Sequence, residues 1–206
     1  MNIFTNGMYR FCVWVTRLVY LNILWIVFSL VGLVAFSFFP ATIAMYTVVR
    51  EWITGKTDIK VLNKFFETFK SEFKNSNVLG YILLLVGSIL FLDLKIINMM
   101  ENQLLLMLFT ALILVFIMAL SYIFPIYVHF DIPLLKVFKY SFIISLSRPL
   151  YTCLMLFGAL GTVFVILLHD LSLILFSGSL FSLVNFIIAL RTFNSFSEKI
   201  TISNMH

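Results

Sequence analysis

Long apolar runs alternate with short polar segments along this chain, and the pattern predicts helices that cross a membrane. A spanning helix needs about 20 predominantly apolar residues. Five runs approach that length, and they occupy residues 18–38, 78–94, 104–128, 150–168 and 171–190. The runs are continuously apolar and do not alternate, which favours helices over a membrane barrel. We therefore predict an all-α integral membrane protein, a bundle of about five transmembrane helices within a single membrane domain spanning residues 1–206.

Composition supports the same class. Hydrophobic residues make up 62% of the chain and charged residues 11%, and the mean hydropathy is +1.09. A soluble domain carries roughly 25% charged residues, so this chain has too few charges to cover a soluble surface, and we expect it to lie in the lipid bilayer.

The net charge is +5. The basic residues are spread over several loops without an Arg-rich tail, so nucleic-acid binding is not expected.

The first apolar run meets a proline and continues. No charged residue lies between Leu18 and Arg50. Because Pro40 lacks an N–H and disfavours a helical residue before it, we predict that the first helix ends at about Phe39. A short helix over 41–53 then follows, lying near the cytoplasmic face at headgroup depth. The alternative is that residues 18–52 enter the membrane and return.

Two amphipathic helices are predicted between the spans. In the first, at 58–75, the apolar positions fall at steps of three and four, on Ile59, Leu62, Phe66, Phe69 and Phe73. This face can lie on the inner leaflet or pack on the bundle itself. In the second, at 132–147, Asp131 can cap the helix, and Leu135, Phe138 and Phe142 share a face. The candidate docking or membrane-surface residues are Lys60, Lys64, Lys70, Lys136 and Lys139.

Orientation is predicted from the positive-inside rule. Lys and Arg gather at 39–77, at 129–149 and after Leu190, so these segments and the C-terminus are predicted to be cytoplasmic. Five spans then place the N-terminus outside, whereas the alternative path of residues 18–52 leaves it inside. The last two spans are separated by His169 and Asp170, and Asp170 is placed to cap the fifth span.

Motifs of catalysis and metal binding are missing from the sequence. It contains no HExxH, GxxxxGK[ST], GxSxG or GxGxxG pattern, and its two cysteines stand alone. Ionisable residues are rare inside the spans, where transport routes usually have them. We predict no catalytic, cofactor or metal residues and no enzyme activity. Asn22 lies inside the first span and is expected to bond across helices, and Pro125 is expected to bend the third span.

The chain resembles the YesL-like family of bacterial integral membrane proteins over roughly residues 10–190. The resemblance rests on the order and spacing of "LNILWIVFSLVGL", "FPATIAMYTVVREW", "FFETFKSEFKNSNVLG", "FPIYVHFD" and "SRPLYTCLML". Many members have a glycine just before the proline elbow, where this chain has Phe38 and Phe39. The positions that match the family's motifs are Asn22, Trp25, Pro40, Ala41, Arg50, Trp52, Phe65, Phe66, Phe69, Phe73, Pro125 and Pro149.

The resemblance implies a role without naming a molecular activity. Members of the family are often encoded beside carbohydrate uptake systems, including sugar ABC transporters. This implies an accessory protein of oligosaccharide uptake in the bacterial cytoplasmic membrane, with sugar ABC permease subunits as partners. Two classes of function stay open: a scaffold that docks through 58–75 and 132–147, and a small independent transporter or channel. The oligomeric state does not follow from the sequence.

Overall fold

The fold consists of helices joined by short connections. A computed structural model of the chain describes residues 3–100, 102–130, 132–168 and 174–203, with side chains described at 8–9, 11–100, 102–130, 132–164 and 176–193. Within these ranges every regular element is an α-helix. The helices are α1 (Ile3–Val31), α2 (Phe38–Ile53), α3 (Val61–Ser71), α4 (Phe73–Met99), α5 (Gln103–His129), α6 (Leu134–Ser147), α7 (Pro149–Leu168) and α8 (Ile174–Ser203).

Four helical stretches are long and apolar enough to cross a bilayer, namely Phe11–Val31, α4, α5 and Phe176–Phe193. The pair α6 and α7 passes the same test as one broken span, bent by 103° where Pro149 begins α7. The all-α prediction is confirmed, and the chain is a multi-pass membrane protein. Helix α5 covers the run at 104–128, whereas α7 covers the run at 150–168 but passes the test for a span only together with α6. Helix α4 runs beyond both ends of 78–94, and α8 continues beyond the C-terminal end of 171–190.

Some predicted details lie outside the described residues. These are the cap predicted at Asp131, the link at His169 and Asp170, and the cap predicted at Asp170.

Pro125 lies inside α5, which continues as a helix to His129.

The break before Pro40 comes earlier than predicted. Helix α1 ends at Val31, residues 32–37 form turns, and α2 begins at Phe38. The chain reverses through left-handed backbone at Leu33 (φ 59°) and Val34 (φ 46°). Pro40 is the third residue of α2, in the first turn, where its missing N–H costs no helical hydrogen bond. The proline is therefore accommodated inside a new helix, and the reversal takes place in the segment before it.

Helix α2 lies inside the bundle, which corrects the prediction of a helix at headgroup depth. Its buried residues include Pro40, Ala41, Ala44 and Trp52, and it packs against α1, α3, α4, α5 and α8. The physical reason is its composition: it is free of charge until Arg50, and its alanines let neighbouring helices approach closely.

Helices α1 and α2 form an antiparallel hairpin. The Trp14 and Trp52 rings pack edge to face with centroids 5.9 Å apart, while Trp25 contacts Phe38 at the other end of α2. The start of the membrane-spanning part of α1 and the end of α2 therefore lie at the same end of the bundle. This arrangement agrees with the alternative in which residues 18–52 enter the membrane and return.

One end of the bundle collects the basic side chains, and we call it the basic end. The C-terminal ends of α2 and α5, the N-terminal ends of α4 and α7, and helices α3 and α6 meet there. The N-terminal part of α1 contacts α2 at this end through Trp14, and the C-terminal part of α8 contacts α5 through Phe193. Among the described side chains, Lys95 near the end of α4 is the exception. The side chains that gather are those of Arg17, Arg50, Lys56, Lys60, Lys64, Lys70, Lys74, Lys136, Lys139, Arg148 and Arg191.

Candidate functional site

A buried amide joins α1 to α8. Asn22 is fully buried, and its side-chain Oδ1 accepts a hydrogen bond from the backbone N–H of Ser179 at 3.1 Å. The approach depends on Gly178, because a Cβ added there would lie 2.7 Å from Asn22 Oδ1 and 3.5 Å from the Trp25 ring. The prediction that Asn22 bonds across helices is confirmed.

Trp25, one helical turn after Asn22, joins α1 to the start of α2. Its Nε1–H donates to Thr42 Oγ1 at 3.1 Å, and the Thr42 hydroxyl donates onward to the Phe38 carbonyl at 2.7 Å. Next to this contact, the Phe39 ring lies against Gly80 of α4, where an added Cβ would lie 2.2 Å from the ring. The Asn22 and Trp25 positions of the family motif therefore hold the bundle together.

A polar cavity opens between α2, α3 and α5 at the basic end. Its volume is about 410 Å³, within the range of pockets that hold small molecules. Three nitrogen-bearing side chains converge on it: Arg50 from the last turn of α2, Lys64 from α3 and His129 from the end of α5. The other lining residues are Ile43, Thr47, Thr68, Ser71, Glu72, Tyr127, Val128 and Phe130.

The charges around the polar cavity are unequal. The one carboxylate among the lining residues, Glu72, accepts a hydrogen bond at Oε2 from the Tyr127 hydroxyl at 2.5 Å. Lys64 Nζ lies 3.8 Å from Glu67 Oε2, and Glu67 is 73% exposed. For Arg50 the described side chains provide no carboxylate within 4.0 Å. His129 Nδ1 is buried and finds no hydrogen-bond partner among the described residues.

The apolar face of α3, for which the sequence left open the inner leaflet or the bundle, packs on the bundle with part of its residues only. Phe65 is fully buried, and it packs with Phe69 around Phe28 at centroid distances of 5.1 and 5.2 Å. Phe66 is 53% exposed and Phe73 40%. The stripe predicted from Ile59 to Phe73 therefore does not face the core as a whole. The packed face is turned toward Phe65 and Thr68, and the outer edge stays apolar.

The predicted face of α6 is divided: Phe138 is partly buried and packs against the core, whereas Leu135 and Phe142 are exposed. The residues that α6 buries against the bundle are Val137, Ser141, Ile144 and Ser145. Leu135 is 84% exposed and Phe142 49%, and the basic side chains of Lys136 and Lys139 are exposed as well. We call the exposed side chains of Leu135, Lys136, Lys139, Phe142 and Leu146 the outer surface of α6.

The remaining sequence-predicted residues have separate positions. Trp52 and Pro125 are buried, and Pro149 begins α7 in an exposed position. Lys70 is exposed on α3 and Lys60 is exposed just before that helix, whereas Lys64 is partly buried at the polar cavity.

Sequence reasoning missed the polar cavity. Thr47, Glu72, Tyr127 and His129 all line it, and each is an ordinary polar residue in its own segment. The available signal is that Thr47 and Arg50 lie one turn apart on a mostly apolar helix.

Comparison with known proteins places the chain among relatives without an established activity. Residues 18–94 match the family described as "Protein of unknown function, DUF624". The chain is 44% identical to the uncharacterized protein YesL of Bacillus subtilis over 194 residues, which is 94% of this chain and 93% of YesL. It is 35% identical to the uncharacterized protein YesV of the same organism, over 92% of each chain. The uncharacterized protein YteU is 37% identical over 72% of this chain and 68% of its own length.

No solved structure matches the chain. The near full-length similarity to YesL shows that the chain belongs to the YesL-like family of DUF624 proteins.

Proposed function

We propose that this protein is a non-enzymatic accessory subunit that docks through α3 and α6 on the permease of a carbohydrate ABC transporter in the bacterial cytoplasmic membrane. The single observation that carries the docking role is the outer surface of α6. The choice of a transporter as partner rests on the family resemblance. Members of the family are often encoded beside carbohydrate uptake systems.

The outer surface of α6 has the composition of a contact surface. Leu135 and Phe142 are exposed although α6 buries other residues in the bundle. Lys136 and Lys139 lie beside them, so the surface suits a partner that offers apolar side chains together with acidic ones. The outer edge of α3 adds the exposed side chains of Leu62 and Phe66, which also have lysines beside them. Complementary charges guide such an encounter, and the apolar side chains supply most of the binding energy.

The distribution of basic side chains supports a cytoplasmic position for this surface. Cytoplasmic segments of membrane proteins carry an excess of Lys and Arg, and the basic end carries that excess here. The C-terminus is then cytoplasmic. The N-terminus lies on the same side, because α1 and α2 form a hairpin whose open ends meet at Trp14 and Trp52.

The test is purification of the tagged protein from its native membrane in mild detergent, followed by mass spectrometry of whatever stays bound. We expect a carbohydrate ABC permease subunit in stoichiometric amount. The double variant Leu135→Ala and Phe142→Ala should lower its recovery about tenfold. Reversing the charges of Lys136 and Lys139 with glutamate should weaken the complex as well.

A matched control pair lies at the opposite end of the bundle. Leu104 and Met107 on α5 are 70% and 77% exposed, and replacing both with alanine should leave the recovery unchanged. Purification of a solitary protein, or an equal loss in both double variants, would contradict the docking proposal. Flux of sugars and ions into liposomes that hold only this protein would then test the alternative of independent transport.

A further inference from the structure

We infer that the polar cavity binds a phosphate group, carried either by an anionic lipid or by a small soluble molecule. This inference is independent of the docking proposal, since the cavity lies between α2, α3 and α5 and shares no residue with the outer surface of α6.

The first argument is the balance of charge. Two cationic side chains, Arg50 and Lys64, line the cavity with one carboxylate, Glu72. That carboxylate already accepts the hydrogen bond from Tyr127. Lys64 has only a long contact with the exposed Glu67, and the described side chains leave the Arg50 guanidinium without a carboxylate partner. A bound anion would supply the missing negative charge.

The second argument is the kind of donor that remains free. The Thr47 hydroxyl already donates to the Ile43 carbonyl at 2.8 Å, and the Ser71 hydroxyl donates to the Thr68 carbonyl at 3.2 Å. The nitrogen groups of Arg50 and Lys64, together with the Thr68 hydroxyl, are donors that the described residues leave available, and His129 Nδ1 also has no partner among those residues. A guanidinium provides a planar fork of N–H groups that matches two phosphate oxygens, and Lys64 reaches from a different helix toward a third. A ligand rich in acceptors and without donors fits this set.

The third argument is position and room. The cavity lies at the basic end, where the ends of the spans meet the headgroup region on our topology. A second cavity of about 320 Å³ adjoins it, shares Glu72, Tyr127 and Phe130, and is also lined by Asn75 and by 132–134. The rest of a phosphate-bearing molecule can extend into that space. A lipid headgroup and a soluble phosphate ester present the same group to Arg50, so the experiment has to separate them.

The test is isothermal titration calorimetry of the full chain in dodecylmaltoside micelles at low salt. One arm titrates inorganic phosphate, and the other titrates dihexanoyl phosphatidylglycerol, a short-chain anionic lipid. Each arm is repeated with Arg50→Gln, with Lys64→Gln and with Lys70→Gln, whose lysine is exposed on α3 and does not line the cavity. We expect Arg50→Gln to weaken binding about tenfold or more and Lys64→Gln about threefold, with Lys70→Gln unchanged.

The arms assign the source of the phosphate. Binding of both probes that depends on Arg50 points to a site for soluble phosphates, and binding of the lipid alone points to a headgroup site. No binding of either probe, or binding that Arg50→Gln and Lys64→Gln leave unchanged, overturns the inference. If Arg50→Gln unfolds in the micelle, binding to the Lys64→Gln and Arg50→Lys variants tests the inference instead. The lysine in Arg50→Lys keeps the positive charge but lacks the planar pair of guanidinium N–H donors.

Discussion

The side-chain oxygen of Asn22 and the backbone N–H of Ser179 form a hydrogen bond of 3.1 Å between residues 157 positions apart. It joins α1 to α8 inside a region that water does not reach. Trp25, one turn further along α1, makes the matching contact to Thr42 of α2. One turn of α1 thus holds two other helices, which gives a physical reason for the pairing of Asn22 with Trp25 in the family motif.

Replacing Asn22 with alanine should destabilise the bundle by about 1–2 kcal/mol. The substitution leaves a cavity and removes a hydrogen bond between two buried groups, and hydrogen bonds between membrane helices contribute up to about 1.7 kcal/mol. The measurement is unfolding in detergent, followed by tryptophan fluorescence. Asn63→Ala, at an exposed position on α3, is the control. Equal stability of the two variants would show that the Asn22 contact contributes nothing.

Gly178→Ala should also destabilise the protein, by about 1–3 kcal/mol, because its Cβ would lie 2.7 Å from Asn22 Oδ1. The effect should shrink when Asn22 is already alanine, since the clashing oxygen is then gone. A double-mutant cycle measures this coupling. Gly161→Ala is the control, as nothing lies within 4 Å of its added Cβ. Strict additivity of the two substitutions would refute the proposed contact.

Gly80→Ala should cost about 1–3 kcal/mol by overpacking, since the added Cβ would lie 2.2 Å from the Phe39 ring. The matched control on the same helix is Gly87→Ala, whose Cβ would meet Phe116 at an ordinary 3.6 Å. Thermal unfolding in detergent compares the two. In a Phe39→Ala background the loss of stability caused by Gly80→Ala should disappear. A loss that persists there would show that it does not come from contact with the Phe39 ring.

The hairpin of α1 and α2 predicts the sidedness of the chain. In a background with Cys12→Ala and Cys153→Ala, single cysteines at Met8, Lys60 and Lys139 should react with a membrane-impermeant maleimide from the same side. A cysteine at Asn98, near the far end of α4, should react from the opposite side. Labelling of intact cells and of inside-out vesicles makes the comparison. Reaction of the Met8 and Lys60 positions from opposite sides would rule out the hairpin topology.

Sequence reasoning reached those elements that depend on local composition. The helices at 104–128 and 150–168 follow from unbroken apolar runs, and the structure has helices there, α5 and α7. Of the two, α5 is long and apolar enough to cross a bilayer alone, whereas α7 passes that test only together with α6. The buried bond of Asn22 was expected because an amide in lipid needs a partner. That Asn22 accepts from a backbone N–H beside Gly178 could not be foreseen from the pattern of either helix alone.

The polar cavity shows more clearly what a sequence pattern alone does not predict. Arg50 and Lys64 were singled out for separate reasons, and Glu72, Tyr127 and His129 were not singled out at all. They line one cavity because α2 lies inside the bundle and brings its last turn against α3 and α5. A helix of 16 residues without charges before Arg50 reads equally well as a surface element or a core element, since both settings are apolar.

By itself the sequence determined that the chain lies in a lipid bilayer, that its fold is all-α, and which segments are basic. Hydropathy and charge are properties of individual residues, so they can be read without the tertiary structure. Only the tertiary structure decided where the chain reverses before Pro40, that α2 is a core helix, and which faces of α3 and α6 pack. Those outcomes depend on shape. When nearly every face of a helix is apolar, close packing at small residues such as Gly80 and Gly178 selects the buried one.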